Sequence, residues 1–282
     1  MTGAKLSAVV TTFNNALTLE HCLASLVFAD ELLVLDSGSS DATVAIAQRF
    51  GARVLVEPFK GYLAQKQSAI DHAHHDWILL LDADEVMTPE AATQVRSVLV
   101  APGATGYELP RSERMFWRWQ HRFSKHNEHL RLFDRRVHRM GGDPVHAAPD
   151  RRRGVVHRID AQFLHDGETS ISSKVERMNR YSSGLVEHRA QRMAPLQLKL
   201  RLILYPPWVM FKTYLLKRHF MNGWPGWIHA VSQGYYAFLK DAKALEAFEC
   251  QRFDGSLTHR LAQQAQRQVA DAGRGGDQQR PQ

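Results

Sequence analysis

The stretch WILLLDADEV, residues 77–86, runs from unbroken apolar side chains straight into three carboxylates. Trp77 to Leu81 lacks the alternation of a half-exposed strand, so it predicts a strand covered on both faces. Carboxylates are costly to bury unless they are paired or bound to a cation. Asp82, Asp84 and Glu85 are therefore expected at the strand's carboxyl end, where open α/β sheets place their ligands. A strand period of two sets Asp82 and Asp84 on the same side, with the small Ala83 between them. Two carboxylates so placed suit a hard divalent cation and a diphosphate.

The residues before this stretch alternate strand and helix signals. KLSAVVTTF (5–13), ELLVLD (31–36) and ARVLVE (52–57) read as strands, with helical patterns after each. Asn14 or Asn15 is placed to cap the first helix, and Gly51 to stop the second. Thr88, with Pro89 and Glu90 behind it, predicts another helix start. This order argues for an α/β fold with a parallel sheet wrapped by helices. TGYELPR, HLRLFDRR, RGVVHRI and AQFLHD then read as short strands forming an antiparallel addition. A helical pattern resumes near Ser170. LQLKLRLIL (196–204) is ambiguous, because its alternation has the period of a strand within a helical context. The expected division is 1–168 for a nucleotide-binding domain, 169–254 for a helical region and 255–282 for a disordered tail.

Residues 188–240 contain no Asp or Glu but carry eight Lys and Arg, more than the chain's whole net charge of +7. Tyr205, Trp208, Phe211, Trp224 and Trp227 are interleaved with them. A basic, aromatic, acid-free segment suits an anionic membrane surface. No nucleic-acid-binding motif accompanies the charge, so nucleic acid is not expected as a partner. The longest uncharged run there, Leu202–Phe211, contains Pro206 and Pro207 and falls well short of the about 20 residues of a span. With only Cys22 and Cys250, no disulfide framework is expected. Met1 to Val10 reads as a strand and not as a signal peptide, which together favour a cytoplasmic protein peripheral on the inner face of the membrane.

Three polar features end successive strands: TTFNN (11–15), LDSGSSD (35–41) and LLLDADE (79–85). Any one alone is an ordinary turn or cap. Together with LEHCLASL and DATVAIAQRFGARV they resemble inverting family 2 glycosyltransferases of the GT-A fold. More narrowly, the chain is similar to bacterial glucosyltransferases that modify the inner-core heptose of lipopolysaccharide. The likeness continues loosely through RLFDRR, PVH, FLH and ERMNRYS. It implies a GT-A-type mixed sheet with helices on both faces, followed by a helical basic and aromatic region. In such enzymes Asp82 and Asp84 form the DXD motif, with Asp84 on Mg²⁺ or Mn²⁺ and Asp82 near the ribose and metal. Thr11, Phe13 and Asn14 line the nucleotide pocket and Asp36 contacts the base or ribose. The implied donor is a nucleotide sugar, UDP-glucose favoured, and the implied acceptor a lipid-linked saccharide.

One position departs from the family. Where members often read Val-His-Glu, with Glu taking the acceptor's proton, this chain reads Val145-His146-Ala147. His146, Asp143 and Asp150 stand as candidate bases. The departure leaves room for another cell-envelope acceptor or for a degenerate sugar-nucleotide-binding module. LLLDADEV also fits the nucleophile motif of haloacid dehalogenase-type phosphatases, although that motif belongs on a chain-early strand. The remaining features have bland readings. Clustered histidines, among them His126 and His129, are expected to be solvated, since no cysteine or ligand spacing accompanies them. MFWRWQHRF (115–123) reads as an acceptor-side or membrane-facing loop, or as ordinary packing. Lys60 and Lys66 are placed to reach phosphates, but a helix surface is their default.

Overall fold

The computed structural model describes residues 3–142 and 147–275. The chain divides into two units, Met1–Thr169 and Ser170–Gln282.

The first unit opens with β1 (Leu6–Thr12), α1 (Leu19–Ala24), β2 (Glu31–Asp36), α2 (Thr43–Arg49), β3 (Arg53–Val56), α3 (Tyr62–Asp71) and β4 (Trp77–Asp82). These four strands are parallel, in the order β3-β2-β1-β4. The chain thus steps outward from β1 and then returns to its other side, which makes the β1/β4 boundary a topological switch point. There follow β5 (Glu85–Met87), α4 (Pro89–Val100), β6 (Gly106–Met115), β7 (Arg118–Trp119) and β8 (Asn127–Asp134). The unit closes with β9 (Met140–Gly141), β10 (Ala148–Pro149), β11 (Val156–Arg158) and β12 (Phe163–Glu168). β8 joins β4 antiparallel and extends the sheet through β6 and β12 to β5, so the sheet is mixed.

Both faces of the central strands are covered, as the unbroken apolar run of β4 requires. Leu79 and Leu81 pack with Leu23 of α1, Ala47 of α2 and Val95 of α4 in one core cluster. Ile78 and Leu80 face the opposite way, against Ala69 and Ile70 of α3. Each fully buried Leu side chain contributes roughly 1.5–3 kcal/mol. Thr88 caps α4 through its hydroxyl, which accepts from the Ala91 N–H at 3.2 Å.

The second unit comprises α5 (Ile171–Gly184), α6 (Val186–Arg192), α7 (Pro195–Phe211) and α8 (Trp224–Gly275). A π-helical turn (Lys212–Leu216) and a 3₁₀ turn (His219–Asn222) join the last two. LQLKLRLIL resolves as helix: Pro195 occupies the first turn and the Gln197 side chain accepts from the Ala194 N–H at 3.0 Å. Gly234 lets α8 approach α7 closely, for a Cβ there would stand 3.0 Å from the Pro206 carbonyl. Asp241, fully buried, pairs with Arg201 at 3.1 Å and with Arg189. α8 continues through residues 255–275, where a disordered tail is expected. The Ala, Gln, Arg and Leu of that segment are good helix formers, and no proline interrupts them before Pro281.

Candidate active site

The sheet brings the strand ends into register. Thr11 lies opposite Asp82 across β1 and β4, and Thr12 lies opposite Asp36 across β1 and β2. The loops beyond are tied together. Asn14 takes a left-handed φ of 52°, its N–H donates to Ser39 Oγ at 2.8 Å, and its side-chain oxygen accepts from the Ser40 N–H at 2.9 Å. Asp36 is 1% exposed and accepts from the N–H groups of Gly38 and Ser39 and from the Ser39 hydroxyl. Gly38 supplies the positive φ of 91° that this turn needs. Asp36 thus holds the turn that shapes the edge, with both its oxygens engaged. Phe13 presents its ring at the same edge, 57% exposed.

The three carboxylates of the opening stretch divide into different roles. β4 ends at Asp82, and Ala83 and Asp84 form a turn, so the strand period does not extend to Asp84. Asp82 meets Lys66 Nζ at 2.5 Å and Arg131 at 3.3 Å. Burial opposes its charge, but these two cations hold the carboxyl well below the usual range. Glu85 is fully buried, paired with Arg131 and 3.5 Å from Arg111. Burial pushes the Glu85 carboxyl up despite Arg131. The cation that the sequence argument demands for these two carboxylates is therefore supplied by the protein. Asp82, expected near the ribose and as a metal ligand, pairs with Lys66 and Arg131.

Asp84 is the carboxylate left facing another donor. Its Oδ2 stands 3.3 Å from His165 Nε2, and its backbone carbonyl accepts from the Asp166 N–H at 3.0 Å, which pins the turn to β12. His165 Nδ1 faces Glu113 at 2.6 Å, and Glu113 pairs with Arg111 at 2.7 Å. Burial alone would lower the imidazole pKa, but hydrogen bonds to Asp84 and Glu113 carry it up to about 10. Among the described residues no group of three or more His, Cys, Asp or Glu is arranged around a common point. A divalent cation held by Asp84 and His165 would have to displace the proton that now joins Nε2 to the carboxylate. Neighbouring ligands each roughly 2.1 Å from Mg²⁺ or Mn²⁺ lie about 3 Å apart, close to the separation seen here. Glu113 on Nδ1 directs Nε2 toward Asp84, the arrangement that orients metal-binding histidines.

The candidate bases fall elsewhere. His146 and Asp143 lie outside the described residues. Asp150 has both oxygens on Arg152, at 3.0 and 3.3 Å, and this grip lowers its pKa, which makes it a weak proton acceptor. Ala147 packs against the second core cluster. The aromatic stretch 115–123 is split between core and surface. Phe116 is 2% exposed, whereas Trp117 and Trp119 are 62% and 42% exposed on the β6–β7 hairpin. That hairpin starts at Glu113, whose carbonyl accepts from the Gln120 N–H at 2.9 Å.

Arg131, Glu113 and His165 carry no signal in the sequence, and Lys66, expected by default on a helix surface, turns inward to Asp82. Lys66 precedes the buried Ala69, Ile70 and Ala73 at helical spacing, a signal that it shares their inward face. Arg131 alternates with buried Leu130 and Leu132 in β8, and nothing local announces its partners. His129, expected to be solvated, lies 6.0 Å from the Phe163 ring with its Nε2 buried and unbonded. Burial lowers its pKa to about 3.

A parallel half-sheet with polar loops at its switch point, continued by a mixed half that carries a cation-paired acidic turn, is a sheet of the GT-A type. The glycosyl transferase family 2 model matches residues 7–160, and the chain belongs to that family. It is 28% identical over 256 residues to an uncharacterized glycosyltransferase of Rickettsia felis, covering 86% of this chain and 90% of the relative. It is 26% identical over 270 residues to the lipopolysaccharide core biosynthesis glycosyltransferase LpsC of Rhizobium meliloti, covering 90% and 98%. Among solved structures, the mannosyltransferase PcManGT of Pyrobaculum calidifontis, in complex with GDP-Man and Mn²⁺, shares the fold at a TM-score of 0.52. That likeness comes with 14% identity and covers 86% of this chain and 87% of that one. Among the described residues no helix is long and apolar enough to cross a membrane.

Proposed function

We propose that this glycosyltransferase moves a hexose, glucose first, from a UDP-sugar to a lipid-linked saccharide of the lipopolysaccharide-core kind, with inversion, at the inner face of the cytoplasmic membrane. The observation that carries the reading is Asp84 facing His165 at 3.3 Å beside the Lys66–Asp82–Arg131 cluster. Asp84 and His165 would hold Mg²⁺ or Mn²⁺, and the ion would counter the charge that develops on the leaving diphosphate. Lys66 and Arg131 add fixed positive charge at the same edge, and Glu113 holds the His165 ring in place. Thr11, Phe13 and Asn14 border the space for the nucleoside, and Asp36 keeps that border rigid. His146, Asp143 and Asp150 remain the candidates for the base that takes the acceptor proton. The acceptor class rests on the relationship to LpsC and on the sequence resemblance.

A panel of UDP-glucose, UDP-N-acetylglucosamine and GDP-mannose, titrated with and without Mn²⁺, tests the donor. Metal-dependent binding that is tightest for UDP-glucose is the expected result. Tighter binding of GDP-mannose would overturn the donor assignment. Release of phosphate from a simple ester, with no binding of any nucleotide sugar, would favour the phosphatase reading. Ala147 supports one further reading, a binding module without turnover. UDP-sugar binding with no transfer to a lipopolysaccharide-core acceptor would favour it.

A further inference from the structure

From Leu200 to Phe211 the outward face of α7 is its apolar face, whereas Gln197 and Lys199 are exposed at its start. Every exposed residue from Leu200 to Phe211 is apolar. Leu196, Leu200, Ile203, Leu204, Trp208 and Phe211 are between 46% and 72% exposed. Their spacing of 0, 4, 7, 8, 12 and 15 from Leu196 forms one helical stripe. The opposite face anchors the helix in its unit: Leu198 is fully buried, and Arg201 reaches the buried Asp241 at 3.1 Å. A surface helix of a water-soluble domain normally turns its apolar stripe inward. This one does the reverse.

We propose that α7 lies flat in the interface of an anionic bilayer, with this stripe set into the boundary between headgroups and acyl chains. The inference deepens the membrane part of the proposed function and is independent of the donor assignment. Charge decides the occupant. Residues 188–240 contain no acid, and Lys212 and Arg218 are exposed where the stripe ends. A second copy of this face would bring like charges together, whereas anionic headgroups complement them. Trp208 and Trp224, the latter 74% exposed, suit the headgroup level. α7 has 17 residues and contains Pro206 and Pro207, so it suits lying on the surface and not spanning it.

The structure also shifts the balance expected from charge alone. Arg189 and Arg201 are committed to Asp241, Lys199 pairs with Glu249 at 2.9 Å, and Lys240 sits 4.2 Å from the Tyr236 ring centroid. At least half of the eight bases are thus engaged inside the unit. Apolar insertion should dominate, with electrostatics as a supplement.

Flotation of the full chain with phosphatidylcholine vesicles, with and without phosphatidylglycerol, tests this, with UDP binding and helical circular dichroism followed in parallel. Wild type should float with the anionic vesicles and lose no more than about twofold in bound fraction at high salt. The triple substitution Leu200→Glu, Ile203→Glu and Leu204→Glu should reduce the bound fraction by about tenfold or more at any salt. The single Ile203→Ser should weaken it severalfold without altering helicity. Lys212→Glu with Arg218→Glu should weaken flotation at low salt only. UDP binding should be unchanged in all of them. No flotation of wild type, or flotation of the triple variant equal to wild type, would overturn the proposal. So would a concentration-dependent dimer that the triple substitution abolishes while wild type does not float. Flotation as described in a protein that binds no UDP-sugar would support docking and defeat the donor reading instead.

Discussion

Arg131 serves two acids at once, one at the edge of the site and one beneath it. Its guanidinium pairs with Asp82 and with the fully buried Glu85, and it lies 5.3 Å from the Phe163 ring centroid. Removing it leaves Glu85 buried without its main cation, and breaking a buried pair in this way costs about 3–5 kcal/mol. We expect Arg131→Met to lose that much in urea unfolding, while Arg131→Lys retains part of it. His129 gives a pH-dependent companion test. Its folded pKa of about 3 lies below its ordinary 6.5, so the folded state binds its proton less well than the unfolded chain. The stability tied to this difference is present above pH 6.5 and is lost as pH falls toward 3. His129→Phe should therefore flatten the fall in stability across that window, and a parallel acid-unfolding profile would contradict the assignment. The need for a cation near Asp82 and Glu85 is legible in WILLLDADEV itself. Its identity is not, because Arg131 reaches them only once β8 has been inserted beside β4.

At the scale of elements, the strand-helix alternation of residues 5–100 is legible because the central strands β1 and β4 are apolar on both faces and local turn residues separate the elements. Thr88, Gly51 and the LDSGSSD turn act within a few residues of themselves, so local chemistry suffices to place them. α7 is less legible, since Leu and polar residues alternate in 196–204 while the apolar positions also recur at helical spacing. The helix is settled by packing on α8 at Gly234 and Asp241. His165 and Glu113 stayed hidden for a related reason: they meet only because β12 pairs with β6, with His165 opposite Glu113. The β6–β7 hairpin that follows Glu113 exposes Trp117 and Trp119, flat apolar faces suited to stacking on a sugar ring. If the acceptor crosses this hairpin, Trp119→Ala should raise the acceptor KM severalfold and leave kcat and UDP affinity unchanged. An unchanged acceptor KM in steady-state kinetics would remove the hairpin from the acceptor path.

The whole molecule comprises a GT-A-type unit and a helical unit with an exposed apolar and basic face. Sequence composition locates the basic segment, but the ion pairs that engage Arg189, Arg201 and Lys199 depend on Asp241 and Glu249, acids beyond it. Only the folded unit distinguishes bases turned outward from bases tied to α8. The account's central claim is that Asp84, held opposite His165 at the switch-point edge, carries the metal on which donor binding depends. Calorimetric titration of UDP into wild type and Asp84→Asn, each with and without Mn²⁺, tests it most directly. Asp84→Asn keeps the shape of the turn and the backbone bond from Asp166, so the fold should persist, with a cooperative thermal transition lowered only by the lost His165 pairing. Wild type should bind UDP at least about tenfold more tightly with Mn²⁺, a gain of about 1.4 kcal/mol, and Asp84→Asn should show no such gain. An undiminished Mn²⁺-dependent gain in Asp84→Asn would contradict the account.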